Sequence, residues 1–297
     1  MQPAIPRDRT AGVVVLYNPP SDVLQNVSTY LNQVGCVFAV DNTPEPDSKL
    51  LAALGEMGVR VLPMGGNQGI AAALNVGCRA AIEAGYDLAL TLDQDSTPGP
   101  DLVEKLASCL HGPSSSDVLL VAPVWEIAGG LPESTAAQCV EIDFAMTSGN
   151  LLQLDLFEVV GGFREDLFID QVDTEFCFRG RDRGLRILQR QDAVLLHRMG
   201  QLEEKRFPFH HYVTNYPAIR RYYMARNGLE LNRLYGREYP EWVRDEKRQW
   251  QLNLPKIILS EDHRLLKFKY IIRGILDYRA RRFGSYDLHH PTRKSTR

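Results

Sequence analysis

Residues 59–95 read VRVLPMGGNQGIAAALNVGCRAAIEAGYDLALTLDQD, and their pattern decides the fold. An apolar run at 59–63 predicts a strand, and the glycine-rich turn 65–69 leads into an alanine-rich helix over 70–84. DLALTL at 87–92 is a second strand, ending on Asp93-Gln94-Asp95. A strand, a crossover helix and a strand make a βαβ unit, whose strands pair in parallel. Upstream the same alternation appears twice more. GVVVL at 12–16 is a β-branched strand stopped by Tyr17-Asn18-Pro19-Pro20. Ser21 opens a helix carrying Val23, Val27, Tyr30, Leu31 and Val34, and a further strand at 36–40 stops at Asp41-Asn42-Thr43-Pro44. A helix over 50–57 completes the series. The expectation is an α/β, Rossmann-like fold with a mostly parallel sheet flanked by helices.

Beyond Pro98 the alternation loosens. A helix is predicted over 102–110, a polar loop over 113–117 and strands over 118–123 and 140–146. Thr147-Ser148-Gly149-Asn150 interrupts before another strand at 151–156. A helix over 174–183 and short strands at 185–188 and 193–196 follow, and from Ala218 the pattern is helical. The division expected is an α/β domain over 1–217, with one half near 11–100 and a second near 101–217. A helical extension with a basic tail then covers 218–297.

Hydrophobic residues make up 44% and charged residues 24% of the 297, an ordinary globular balance. No apolar run approaches the roughly 18 residues of a bilayer-spanning helix, and MQPAIPRDRT lacks the apolar core of a secretory leader. Five cysteines without a C-x-x-C spacing predict reduced thiols in the cytoplasm. The net charge of −3 is uneven: residues 256–297 hold 11 Lys/Arg against 4 Asp/Glu. The tail suits an anionic surface or is simply a solvated end, while no nucleic-acid partner is expected. Leu265, Phe268, Ile272, Ile275 and Leu276 form an apolar helical stripe, with Lys267, Lys269, Arg273, Arg279, Arg281 and Arg282 nearby. Core packing is the default reading of that stripe and an interfacial helix the alternative.

In an open parallel sheet, ligands bind at the carboxyl ends of the strands. Tyr17-Asn18, Asp41-Asn42, the turn around Asn67 and Gly69, and Asp93–Asp95 all fall there, although each alone is also ordinary turn chemistry. Asp93 and Asp95, spaced i, i+2, point two hard oxygen ligands to one side, which suits Mg²⁺ or Mn²⁺ with positions left for a diphosphate. The glycines before residue 70 allow close approach to a helix N-terminus. There is no Gly-Lys-Ser/Thr, and no G-x-G-x-x-G after the first strand, so neither a P-loop nor a dinucleotide fingerprint is present.

VVVLYNPP, VDNTP, GGNQGIAAALNVG, LTLDQDS, TSGNLL, GGFREDLFIDQVDTEFCFR, LLHRMG and RRYYMARN occur in an order that resembles family-2 glycosyltransferases of the GT-A fold. The resemblance is greatest to the rhamnosyltransferase branch that builds bacterial surface polysaccharides, and it runs from about Gly12 to about Asn227 and more weakly on to about Gly284. It implies that Tyr17, Asn18, Asp41 and Asn67 hold nucleobase and ribose, and that Asp93 and Asp95 hold the metal. His197 would help bind metal or diphosphate. Arg221, Tyr222, Arg226 and Asn227 resemble a motif that closes over the diphosphate; a cationic helix face with core tyrosines explains them equally well.

Inverting transfer needs a carboxylate to take the acceptor hydroxyl's proton. The family pattern is Glu-Asp-x-Asp/Glu with an Arg four residues after its last acid. Glu175 and Arg179 match that spacing, which puts Asp173 at the base position, although Val172 stands where the pattern has Glu. A shifted register makes Asp170 the base instead.

The implied activity is inverting, metal-dependent transfer of a deoxysugar, rhamnose from dTDP-rhamnose first, onto a glycan or lipid-linked acceptor. The place expected is the cytoplasm or the inner face of the membrane. Transfer from a UDP-hexose and a non-catalytic nucleotide-sugar-binding protein are the alternatives, and a homo-oligomer is left open. A nucleotidyltransferase is disfavoured because Tyr17-Asn18-Pro19-Pro20 replaces the Gly-rich, basic loop it needs.

Overall fold

Thr10–Leu16 forms the central strand β1, with all seven residues buried, as a strand covered on both faces requires. In the computed structural model the described residues are 7–111, 115–126, 136–197, 203–205, 211–213 and 215–291. Around β1 lie α1 (Val23–Ser28), β2 (Cys36–Asp41), α2 (Ser48–Glu56), β3 (Arg60–Pro63), α3 (Ile70–Glu83) and β4 (Leu88–Asp93). Asp47 caps α2 by accepting the N–H groups of Lys49 and Leu50. The four strands pair in parallel in the order β3-β2-β1-β4. α3 lies so close to β1 that a Cβ on Gly77 would sit 2.3 Å from Val13 Cγ1, which explains a glycine in mid-helix.

The second half of the sheet is mixed. β5 (Ser96–Pro98), α4 (Leu102–Ala107), β6 (Val118–Glu126), β7 (Cys139–Ile142), β8 (Leu151–Gln153), α5 (Leu154–Val160), α6 (Val172–Arg181) and β9 (Arg186–His197) follow in the chain. β8 runs antiparallel between β4 and β6, β6 and β9 are parallel, and β5 and β7 each pair antiparallel with β9. The sheet order becomes β3-β2-β1-β4-β8-β6-β9-β5. The parallel expectation therefore describes the first half of the sheet, and antiparallel pairing enters after β4.

Several local expectations are corrected. The apolar run 151–156 is a strand only to Gln153 and then turns into α5, because a short apolar run fits both states. The two short strands expected at 185–188 and 193–196 are one continuous strand: β7 pairs with it as far as Arg190, and the ladder with β6 skips 190–193 through a register shift and resumes at Val194. α1 ends at Ser28, yet Tyr30 and Val34 beyond it are still buried. Cys109 and Cys139 form a disulfide, with Cα atoms 5.9 Å apart, and only Cys36, Cys78 and Cys177 are free thiols. A separation of 30 residues carries no motif by which sequence alone could pair them.

By internal contacts the chain forms two compact units, Met1–Arg164 with Asp173–Arg198, and Glu165–Val172 with Met199–Arg297. The second unit holds the hairpin β10 (Glu203–Lys205) and β11 (His211–Val213). Its helices are α7 (Ala218–Tyr235), α8 (Pro240–Leu259), α9 (Arg264–Arg279) and α10 (Tyr286–His289). The apolar stripe of α9 is divided: Phe268 and Ile275 pack inward beside the buried Ile271, whereas Leu265, Ile272 and Leu276 are exposed. Core packing thus accounts for two of its five residues. Among the described residues no helix is long and apolar enough to cross a membrane. The N-terminal residues 1–6, part of the polar loop (112–114) and the tail's Arg293, Lys294 and Arg297 lie outside the described residues.

Candidate active site

The ends of β1, β2 and β4 are tied together by side chains that the sequence reading left without a role. Gln94, the middle residue of the D-x-D, grips the backbone of Tyr17 on both sides. Its Oε1 accepts the Tyr17 N–H at 2.8 Å, and its Nε2 donates to the Tyr17 carbonyl at 3.2 Å. The Tyr17 side chain remains 46% exposed, leaving a ring face at the strand end. Asn18 adopts a positive φ of 45°, and its N–H donates to Thr43 Oγ1. Asp41 is buried and accepts the Thr43 N–H at 3.2 Å. Asn42 accepts the Gln68 N–H at 2.7 Å and donates to Asn67 Oδ1, which also accepts the Gly69 N–H. Gly69, with φ 88° and ψ 158°, precedes the first residue of α3, a conformation open to glycine alone. Tyr17, Asn18, Asp41, Asn67 and Gly69 therefore share one rim, at the carboxyl ends of β1 and β2 and the start of α3.

The segment Thr147-Ser148-Gly149-Asn150 is the hinge of the site. Ser148 Oγ accepts the Asp93 N–H at 3.0 Å and bonds Ser96 Oγ at 2.6 Å. Thr91 Oγ1 donates to the Thr147 carbonyl, and the Gly149 N–H donates to the Thr91 carbonyl. On the other side, Thr147 makes a main-chain hydrogen bond to Asp173. One four-residue loop thus bonds both the backbone of Asp93 and the candidate base.

Asp93 and Asp95 are half-buried at the end of β4 and in the turn after it. His197 stands opposite Ser96 in the β5–β9 ladder, one residue along from Asp95; its side chain lies outside the described residues. Among the described residues, no three His, Cys, Asp or Glu side chains gather as a closed metal cage. Two carboxylates on one turn, with a histidine backbone in register beside them, still suit a hard cation that keeps positions for phosphate and water.

Asp173 sits in the first turn of α6 and accepts the N–H of Thr174 at 2.8 Å. It shares with Thr91, Thr147 and Asn150 the lining of a cavity of about 10 Å³. Asn150 Oδ1 is buried there without a hydrogen-bond partner. Burial pushes the Asp173 carboxyl above the usual carboxylate range, against the lowering effect of its backbone hydrogen bonds. Glu175 is instead structural: Arg179 grips both its oxygens at 2.8–2.9 Å and donates to the carbonyls of Val160 and Gly162. The Glu-x-x-x-Arg spacing is therefore an i, i+4 pair that fixes α6 to the end of α5.

Asp170, with φ 66°, belongs to the second unit, where it is paired with Arg220 at 3.1 Å. Arg226 is fully buried and donates to the carbonyls of Asp166, Leu167 and Gly284. Asn227 Nδ2 donates to the carbonyls of Leu167, Ile169 and Asp170. The structure thus shows Arg226 and Asn227 holding the 166–170 segment. Arg221 is equally buried, paired with Glu261, and Tyr222 donates to Asp277.

The strand order and the flanking helices are those of the GT-A fold. Residues 13–135 match the model of glycosyl transferase family 2. The chain is 30% identical over 240 residues to the dTDP-rhamnosyl transferase RfbF of Shigella flexneri, covering 74% of this chain and 79% of that one. It belongs to glycosyl transferase family 2 and is a glycosyltransferase. Among solved structures, S. aureus TarS 1-349 in complex with UDP-GlcNAc superposes with a TM-score of 0.61 at 13% identity, over 91% of this chain and 80% of that one. GalNAc-T7 with UDP, GalNAc and Mn2+ gives 0.55 at 13% identity, over 63% of this chain but only 43% of that one. At such identities these two likenesses speak for the fold alone.

Proposed function

We propose that the chain is an inverting, metal-assisted rhamnosyltransferase that moves the sugar of dTDP-rhamnose onto a glycan or lipid-linked acceptor at the cytoplasmic face of a membrane. The observation that carries this reading is the loop 147–150, which lies against both Asp93 and Asp173, joined to the 30% identity with a dTDP-rhamnosyl transferase. The catalytic domain is proposed to span 1–217 and the helical extension 218–297.

In this reading the Tyr17 ring and the Asn18, Asp41 and Asn67 positions receive the nucleoside, while the start of α3 at Gly69 faces the phosphates with its N-terminal dipole. Asp93 and Asp95, with His197 beside them, hold Mg²⁺ or Mn²⁺. Such a metal offsets charge on the departing nucleoside diphosphate. Asp173 Oδ takes the proton of the acceptor hydroxyl as that oxygen attacks the anomeric carbon. Its raised affinity for protons strengthens it as a base, provided the pH keeps it ionised. Arg226 and Asn227 serve by holding residues 166–170, the segment that leads in sequence toward Asp173.

The UDP-GlcNAc complex of a solved relative in fold supports a second reading with a UDP-hexose donor. Thermal shift with Mn²⁺ and a panel of nucleotide sugars separates the two, since a bound ligand raises the midpoint by mass action. The expected result is the largest shift with dTDP-rhamnose; a larger shift with a UDP-hexose selects the second reading.

A further inference from the structure

α7, α8 and α9 enclose a cleft of about 310 Å³ within the second unit. Its walls are chiefly apolar, with Leu229 from α7, Trp242, Val243, Trp250 and Leu254 from α8, and Ile275 from α9. That volume and an apolar lining with few polar groups are typical of small-molecule sites and uncommon as packing defects. The cleft stays open because of a residue choice on α7. Gly228 lies on its wall in mid-helix, where glycine weakens a helix, and a Cβ there would meet only Glu246 Oε2, at 3.7 Å. No close backbone contact demands this glycine.

We propose that this cleft binds the hydrocarbon chain of an anionic lipid, the lipid end of the acceptor; this rests on the acceptor's being lipid-linked, as proposed above. The helix that supplies Ile275 to the cleft identifies the occupant by its outer side. There α9 shows Leu265 (83% exposed), Ile272 and Leu276 to solvent, beside the exposed Arg264, Lys269 and Arg279. Leucine and isoleucine interleaved with cations is the surface that an anionic bilayer attracts, so a lipid's chain is delivered beside the cleft and its phosphate meets positive charge. Lys247, exposed on the cleft's border, adds one more cation. The polar residues inside are Asn232 and Glu246, and Glu246 accepts from Gln171 Nε2 at 3.2 Å. Burial pushes its carboxyl up, which favours the neutral form beside a hydrocarbon. Gln171 lies two residues before Asp173 in sequence, so the wall of the cleft bonds directly to the segment leading to the base.

The test is fluorescence titration of the full chain with octyl, decyl and dodecyl phosphate below their micelle concentrations, reporting through Trp242 and Trp250. Wild type should bind saturably, with affinity rising about fourfold per added methylene until the cleft is full. Gly228→Leu fills the cleft and replaces glycine by a better helix former. It should weaken dodecyl phosphate at least tenfold while melting no lower than wild type. In transfer assays it should raise KM for a lipid-linked glycan and leave the same glycan without lipid unchanged. Affinity independent of chain length, or unaltered binding by Gly228→Leu, overturns the proposal. So does a wild-type chain that binds no alkyl phosphate, including one whose cleft is filled by a second copy in a stable dimer. Should no donor prove to be used, the alkyl phosphate series still decides the cleft by itself. If Gly228→Leu melts lower, the chain-length series on wild type decides alone.

Discussion

Asp173→Asn is expected to lower kcat by about 100- to 10,000-fold with donor affinity little changed, because it removes a positioned general base and keeps its shape. The same substitution should not destabilise the fold at neutral pH. Burial raises the Asp173 carboxyl above its ordinary value of 3.8, so protonation is easier in the folded chain than in the unfolded one. The stability that this protonation confers is fully present below the unfolded value, about 3.9, and is lost as pH rises through the raised folded value. At pH 8 the wild type therefore buries an ionised carboxylate, and the neutral amide of the Asp173→Asn variant carries no such penalty. Melting at pH 8 should show Asp173→Asn equal to or above wild type, with that advantage shrinking in acid. In wild type, kcat/KM should fall as pH drops through the same raised value, because the base must be ionised. Asp170→Asn weakens the pairing with Arg220 and should cost far less activity. A fully active Asp173→Asn beside a dead Asp170→Asn would move the base to Asp170.

The second large effect concerns the metal. Asp95→Ala should weaken dTDP binding in the presence of Mn²⁺ by on the order of 100-fold or more, since even outer-shell partners of metal ligands are worth 10- to 100-fold. Without a divalent ion, wild type and variant should bind dTDP equally weakly by calorimetry. Affinity indifferent to both metal and substitution would remove the metal from the account. Asp93 is the less clean test, because its backbone is hydrogen-bonded to Ser148 and a change there also disturbs the 147–150 loop.

The nucleotide half was legible because parallel strands buried on both faces read as continuous apolar runs, and β1 is buried at every residue. The second half was less so. β5 is three residues long and Ser96-Thr97-Pro98 has no apolar pattern, while β9 runs on through the polar stretch Gln189–Asp192, where its pairing with β6 shifts register. The strand-end clusters could be placed on one edge of the sheet from their positions alone. What holds them was hidden, since Gln94 reaches Tyr17 across 77 residues and Ser148 reaches Asp93 across 55. Arg226 shows the same limit. The resemblance implied a motif closing over the diphosphate; the guanidinium donates to backbone carbonyls 58 to 60 residues away, which no spacing in the sequence announces.

The central claim is that one loop sets a metal-type carboxylate and an inverting base around dTDP-rhamnose. Proton NMR of the glycoside formed from dTDP-rhamnose, the full-length chain, Mn²⁺ and a glycan acceptor tests it most directly. The account predicts a rhamnosyl product whose anomeric configuration is opposite to the donor's, and none with Asp173→Asn. A product that retains the donor's configuration, or one formed equally well by the variant, would contradict it.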